Sequence, residues 1–219
     1  MLKNIYLILY RFSGWASNLF TLFLAYLALK NKNMWQGKYK FLAIYFIFVA
    51  IVELFASVTT MLKINNHFLN YYFIPTTFSL LILYLSKQTK SKLVEGLAIF
   101  IIVAYIAFQI YQRLFEVINK PLDVLSSSIA FALLVVFCLR NLTILFKTKT
   151  LTKKLRLNPD FWFTATIFVI YFNFLCLGIL QAVSFDSGNK NVWFMVSTSI
   201  NFIRVFLLYG FYRGIKLLE

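Results

Sequence analysis

Acidic residues are scarce in this chain of 219 residues, which has seven Asp and Glu against 22 Lys and Arg. A single histidine and two cysteines accompany them. The sequence therefore offers no His/Cys cluster for a metal, and it contains no metalloprotease histidine pair, serine nucleophile motif or glycine-rich phosphate loop. We expect no catalytic residues, no metal and no cofactor, which makes an enzyme the least favoured class.

Prolines are also few, and lysines are missing from the middle of the apolar segments. The three prolines do not form the proline-glutamine signature of small seven-helix sugar transporters, and the last apolar segment lacks the Asn-Pro pair of G-protein-coupled receptors. The absence of a mid-segment lysine excludes a retinal protein. Cys138 and Cys176 lie within apolar segments, where they are expected to act as small hydrophobic residues.

Apolar residues dominate what remains, at 61% of the chain, with 20% aromatic. A soluble domain of this size could not bury that much apolar surface. Apolar runs of about 20 residues match the length of helix that crosses about 30 Å of hydrocarbon. Helices satisfy their own backbone groups in lipid, so we predict an all-α polytopic membrane protein, a seven-transmembrane helix bundle forming one domain over residues 1–219. The predicted spans are about 12–30, 41–62, 68–86, 93–112, 122–146, 161–183 and 193–212.

Basic residues concentrate in alternate connections between these spans. Fourteen of the 22 Lys and Arg lie in "KNKNMWQGKYK", "SKQTKSK", "KTKTLTKKLRLNP" and the last seven residues, whereas five lie in the other connections. Positive residues accumulate on the cytoplasmic side of membrane proteins. The pattern predicts seven crossings with the N-terminus outside and the C-terminus cytoplasmic, in a bacterial cytoplasmic (inner) membrane.

The stretch "IYFIFVAIVELFASVTTML" at residues 44–62 carries Glu53 at its centre, about 18 Å from the start of its span at 1.5 Å per residue. A charge at that depth costs about 2.5–3.5 kcal/mol, so we expect neighbouring helices to shield it. Asn173, Asn201 and Arg204 are predicted at similar depth. We therefore predict a buried polar cluster of Glu53, Asn173, Asn201 and Arg204.

Two alternatives stay open for this predicted cluster. Arg140 competes with Arg204 as the partner of Glu53, although it lies near a span end and its side chain is long enough to reach water. The cluster acts either as structural hydrogen bonding between helices or as an ion, proton or ligand site. Additive effects of Glu53→Gln and Arg204→Gln on stability would exclude the ion pair.

A second set of polar residues is predicted toward the outer side of the membrane, as a candidate pocket for a small ligand. Its members are His67, Asn70, Gln109, Gln112 and Gln181. Ordinary solvation at the interface is the alternative explanation for Gln112 and the polar residues that follow it. His67 lies in a tight turn beside two asparagines, and no second histidine or cysteine joins it to hold a metal.

The strongest basic run, "KTKTLTKKLR" at 147–156, is expected on the cytoplasmic side. Attraction to anionic lipid headgroups contributes about 1 kcal/mol per basic residue and explains the run without a specific partner. The residues expected to contact those headgroups are Lys147, Lys149, Lys153, Lys154 and Arg156. Nucleic acid binding is not expected, because no aromatic side chains interleave with the charges.

Two short motifs mark the last two spans. "NPDFW" at 158–162 predicts a helix start, with Asn158 as N-cap, Pro159 in the first turn and Asp160 at the positive helix end. "GFYRG" at 210–214 matches the small-xxx-small pattern of helix dimers, and oligomerisation therefore stays open.

The layout resembles small seven-helix bacterial membrane proteins and is similar to the membrane-embedded sensor halves of some bacterial histidine kinases. Glu53, "NNHFLNYY" at 65–72, "NPDFW" and Asn201 carry the resemblance, which covers the whole chain. No kinase or other output domain follows Leu218 in this sequence. The resemblance therefore implies a sensor that needs a separate cytoplasmic protein partner.

Three functions remain at this point. The first is a non-enzymatic membrane sensor or accessory protein that couples an outer-side or intramembrane ligand to a cytoplasmic partner. The second is a transporter, channel or membrane-disrupting effector, such as one associated with defence, whose pathway is lined by the Glu53 layer. The third is a lipid-modifying enzyme that uses Glu53 as a base.

Overall fold

A computed structural model describes residues 2–64, 68–114, 120–148, 155–184 and 208–219. Within these ranges the regular structure is helical, which confirms the all-α prediction. The helices are α1 (Leu2–Lys30), α2 (Tyr39–Met61), α3 (Phe68–Gln88), α4 (Lys92–Leu114), α5 (Lys120–Thr148), α6 (Pro159–Ser184) and α7 (208–216). A 3-10 turn at Lys32–Trp35 joins α1 to α2.

Helix α1 begins ten residues before the span predicted for it. Residues 2–11 contain no proline or glycine, so nothing in their backbone chemistry breaks the helix before the apolar run begins. At 29 residues, α1 is about 43 Å long and exceeds the hydrocarbon thickness. Residues 193–207 of the last predicted span lie outside the described residues.

Four of the described helical segments are long and apolar enough to cross a membrane: Tyr39–Met61, Lys92–Gln112, Ser126–Lys147 and Pro159–Cys176. Large apolar side chains also cover much of the outer surface, including Phe100 and Leu93 on α4, which are 69% and 78% exposed. Lipid is the environment in which such a surface is stable. The chain is an integral membrane protein.

Helix α3 is central to the packing, because it contacts α2, α4 and α5. Helices α5 and α6 form the most extensive helix pair among the described elements, and α1 packs against α2. Helix α4 is peripheral, because only 17% of its most apolar stretch is buried within the protein. The core is therefore formed mainly by α1, α2, α3, α5, α6 and α7.

The basic connections meet at one end of the bundle. The amide of Asn31, just after α1, donates to the carbonyl of Ile215 at 3.2 Å. Gln88, at the end of α3, donates to Thr164 in the first turns of α6 at 3.0 Å. Lys38, just before α2, pairs with Asp160 at the start of α6. The three contacts bring together residues 31–40, 86–92, 155–160 and 213–219, which we call the basic end.

Helix α7 approaches α6 through the two glycines of "GFYRG". A Cβ atom at Gly214 would lie 2.6 Å from the ring of Phe163, and one at Gly210 would overlap the Thr166 hydroxyl. The motif that the sequence offered for a helix dimer thus serves close packing within the chain.

Candidate functional site

Asp160 is held at the start of α6 by local capping. The Asn158 side-chain oxygen accepts a hydrogen bond from the Asp160 backbone N–H at 3.1 Å, and α6 begins at Pro159. These contacts confirm the helix start predicted from "NPDFW". The carboxylate of Asp160 lies in the first turn, where the helix dipole favours a negative charge.

Asp160 is also the centre of a network at the basic end. Its Oδ2 pairs with the Lys38 ammonium at 2.5 Å, and its Oδ1 accepts a hydrogen bond from the Tyr84 hydroxyl at 3.3 Å. The ring of Tyr39 lies beside this network, with its centroid 6.3 Å from that of Tyr84. The Asp160 and Lys38 side chains are only 15% and 22% exposed, so the ion pair is largely shielded from water.

A second pair of polar side chains extends this network. The Gln88 amide donates to the Thr164 hydroxyl at 3.0 Å, and the two oxygens lie 3.2 Å apart. The network therefore links the start of α2, the end of α3 and the start of α6. The polar side chains of this network bond to one another. Such mutual bonding holds the three helices in register.

The spacing of four polar residues in the sequence indicates this network, although the sequence analysis above did not predict it. Tyr84 and Gln88 are four residues apart in α3, and Asp160 and Thr164 are four apart in α6, so each pair shares one helix face. Polar residues at that spacing near the ends of two apolar helices predict a polar contact between them.

Aromatic rings continue from this network into the bundle. Phe163 lies 6.1 Å from Tyr84 and 6.3 Å from Phe211 between ring centroids. Phe211 in turn packs edge-on against Phe46 at 5.0 Å. Phe163, Phe211 and Phe46 are almost fully buried. We call this series, from Tyr84 to Phe46, the aromatic column.

The aromatic column ends at a cavity of about 230 Å³ in the bundle interior. The cavity lining is mostly apolar and comes from α1, α2, α3, α5, α6 and α7. The described lining residues are Thr21, Leu24, Tyr45, Phe46, Val49, Phe73, Ile74, Thr77, Phe131, Ile170, Tyr171, Phe174, Leu208 and Phe211.

The polar groups of this cavity are few. The Thr21 hydroxyl donates to the Ser17 carbonyl at 2.9 Å, and that of Thr77 donates to the Phe73 carbonyl at 2.7 Å. Tyr45 and Tyr171 supply the remaining hydroxyls. A largely apolar lining with a few hydroxyls is typical of a site for a small apolar molecule.

Glu53 lies in the middle of α2, where it is half-buried and one carboxylate oxygen is shielded from solvent. A polar contact lies one turn away: the Asn18 amide of α1 donates to Ser57 at 2.9 Å. Asn173 is also half-buried, and its amide nitrogen donates to the Val169 carbonyl of its own helix at 2.7 Å.

Asn201 and Arg204 lie outside the described residues, so the four-residue cluster stays a prediction. Arg140, the competing partner, is exposed on α5. Its neighbour Asn141 is buried and donates to the Leu85 carbonyl of α3 at 2.8 Å.

The residues of the predicted outer pocket are described unevenly. His67 lies outside the described residues, as do the side chains of Asn70 and Gln181. The Gln109 amide donates to the Tyr105 hydroxyl at 3.1 Å and to the Ser126 hydroxyl of α5. Gln109 also lines a groove between α3 and α4.

Gln112 is buried at 6% exposure, and neither its amide oxygen nor its nitrogen has a hydrogen-bond partner among the described residues. A buried amide without partners costs about 1–3 kcal/mol. We therefore expect Gln112→Leu to stabilise the protein by about 1 kcal/mol, measured by equilibrium unfolding in mixed micelles. Destabilisation by this change would mean that the amide is bonded in the native protein.

Of the basic run predicted to contact lipid headgroups, Lys147 and Arg156 are exposed. Lys149, Lys153 and Lys154 lie outside the described residues. Arg213 joins the same end of the bundle, with its guanidinium 5.9 Å from the ring of Trp162. Within the described ranges, no group of three His, Cys, Asp or Glu residues is placed to hold a metal ion.

The four membrane-length segments and the shared core define a polytopic helical membrane protein. Comparison with protein-family models, with curated proteins and with solved structures finds no match. The function therefore has to be inferred from the cavity, the aromatic column and the network around Asp160.

Proposed function

We propose that this protein is a non-enzymatic membrane sensor or accessory protein. It takes a small apolar ligand into the interior cavity and transmits the change in helix packing to the basic end, where a cytoplasmic protein partner binds. The observation that carries the proposal is the continuity between the cavity and the Asp160 network. Phe46 and Phe211 line the cavity, and Phe211 contacts Phe163 beside Tyr84.

The proposal includes the membrane topology. Seven crossings, with the N-terminus outside, place the basic end in the cytoplasm of a bacterium. Alternate helix ends meet at the basic end, as an up-and-down bundle requires, and this supports the topology. Anionic headgroups would then lie against exposed Lys147 and Arg156.

Phe211 is the residue on which the proposed transmission depends. It belongs to α7, lines the cavity and contacts both Phe46 and Phe163. A ligand in the cavity presses on this ring, and densely packed interiors pass on such displacements. Because α7 meets α6 at two glycines, a small shift of α7 also displaces α6 at the Asp160 network.

Filling the cavity tests ligand uptake. Val49 is 2% exposed and lines the cavity, so Val49→Phe places a ring in the space the ligand would occupy. With toluene as the probe, we expect wild-type protein in detergent to gain thermal stability, because a ligand that binds only the folded state stabilises it. We expect Val49→Phe to lose most of this gain.

The matched control is Val103→Phe, the same change at a 60% exposed site on α4. It should keep the wild-type response to toluene. An equal toluene response in Val49→Phe and wild type would contradict uptake into the cavity.

The second candidate, a transporter or channel, is favoured by Glu53 alone, because a half-buried carboxylate in mid-helix is typical of ion and proton pathways. If the protein is a sensor, liposomes that contain the wild-type protein should show no more proton or potassium flux than empty liposomes. Flux that disappears in Glu53→Gln and persists in Glu95→Gln, a change in the first turn of α4, would favour the transporter.

A further inference from the structure

A groove of about 350 Å³ lies between α3 and α4, separate from the interior cavity. Its described lining residues are Tyr72, Pro75, Thr76, Ser79, Leu80, Ile106, Gln109 and Ile110. Ile106 and Ile110 are 38% and 51% exposed, so this groove opens on the outer surface of the bundle. In a membrane protein the molecule available at that surface is lipid.

Two polar groups of residues that line the groove make no hydrogen bond to the described part of the protein. The Gln109 nitrogen donates to Tyr105 and Ser126, but its amide oxygen accepts no hydrogen bond from a described residue. The Thr76 hydroxyl likewise bonds no described residue, whereas the neighbouring Thr77 and Ser79 hydroxyls donate to carbonyls of α3. The groove thus offers an acceptor at Gln109 and a donor at Thr76.

The depth of these groups indicates which lipid fits. Gln109 lies about 8 Å from Leu114, the last described residue of α4, and Thr76 about 12 Å from Phe68, the first described residue of α3, both on the side away from the basic end. A phosphate group at that depth would leave water at a high cost. A lipid that ends in an uncharged hydroxyl next to an ester can place both groups there.

We propose that the α3–α4 groove binds a diacylglycerol. One acyl chain runs toward the bilayer centre along Leu80 and Ile106, the free hydroxyl donates to the Gln109 oxygen, and an ester carbonyl accepts from Thr76. This site is independent of the proposed sensor function.

The test uses the full chain in phosphatidylcholine vesicles with a small fraction of a diacylglycerol that carries a photoreactive group on one chain. Cross-linked peptides are mapped by mass spectrometry. We expect labelling to concentrate on α3 and α4 residues of the groove. Thr76→Val should reduce it about threefold to tenfold, the range expected for loss of one hydrogen bond within a membrane.

Two comparisons complete the experiment. Thr143→Val removes an exposed hydroxyl that donates to the Leu139 carbonyl on α5, and it should leave groove labelling unchanged. A methyl ether of the same lipid lacks the hydroxyl donor and should label wild-type protein about threefold to tenfold less. Because that comparison needs no variant, it remains decisive if Thr76→Val folds poorly. Equal labelling by the two lipids, or labelling spread evenly over α4, overturns the proposal.

Discussion

Replacing Gly214 with alanine is expected to destabilise the bundle by about 1–3 kcal/mol, the range typical of overpacked interiors. The new methyl group would lie 2.6–2.8 Å from three ring atoms of Phe163, closer than carbon atoms pack. The ring is fully buried and contacts Tyr39, Tyr84 and Phe211, so it has little room to move. Equilibrium unfolding in mixed micelles measures the change.

The control for this change is Gly96→Ala in α4, where a Cβ atom meets nothing within 4 Å. Because alanine is the better helix former, that variant should be unchanged or up to about 1 kcal/mol more stable. Adding Phe163→Leu to Gly214→Ala should recover part of the loss, since a smaller side chain makes room for the methyl group. Equal stability of Gly214→Ala and Gly96→Ala would show that α7 does not pack against α6 as described.

Asp160→Ala is expected to cost about 2–4 kcal/mol. The change removes the partner of a largely shielded Lys38 ammonium and the acceptor of the fully buried Tyr84 hydroxyl. Because Lys38 keeps some contact with water, the loss should be below that of a completely buried ion pair. Asp160→Asn should cost less than Asp160→Ala, since the amide oxygen still accepts from Tyr84. Unfolding in mixed micelles gives the ranking.

The control for this prediction is the ion pair between Lys87 and Glu95, whose charged atoms are 3.7 Å apart. Both side chains are more than a third exposed, so Glu95→Ala should cost less than about 0.5 kcal/mol. If Asp160→Ala and Glu95→Ala had equal effects, the network around Asp160 would contribute nothing to holding α2, α3 and α6 together.

The positions of α2 to α6 could be predicted from the sequence because hydrocarbon length and backbone hydrogen bonding constrain each apolar run separately. The start of α1 could not, since hydropathy marks the lipid-facing part of a helix and not where its hydrogen bonding begins. Lys3 and Arg11 lie on either side of the apolar run "IYLILY", but neither ends the helix.

The candidate sites were harder to predict, because they depend on which helices become neighbours. The sequence placed Asp160 at a helix start but gave no reason to pair it with Lys38, which precedes a different helix. It also showed the glycines of "GFYRG" without showing that they face α6 rather than a second chain. The interior cavity has no single-sequence signature, since its walls come from six helices.

The most direct test of a seven-crossing bundle with a cytoplasmic basic end is tag accessibility in sealed, right-side-out membrane vesicles. A protease added outside should remove an epitope tag from the N-terminus and leave one at the C-terminus intact until detergent is added. Removal of both tags, or protection of both, would contradict the topology on which the proposed cytoplasmic partner depends.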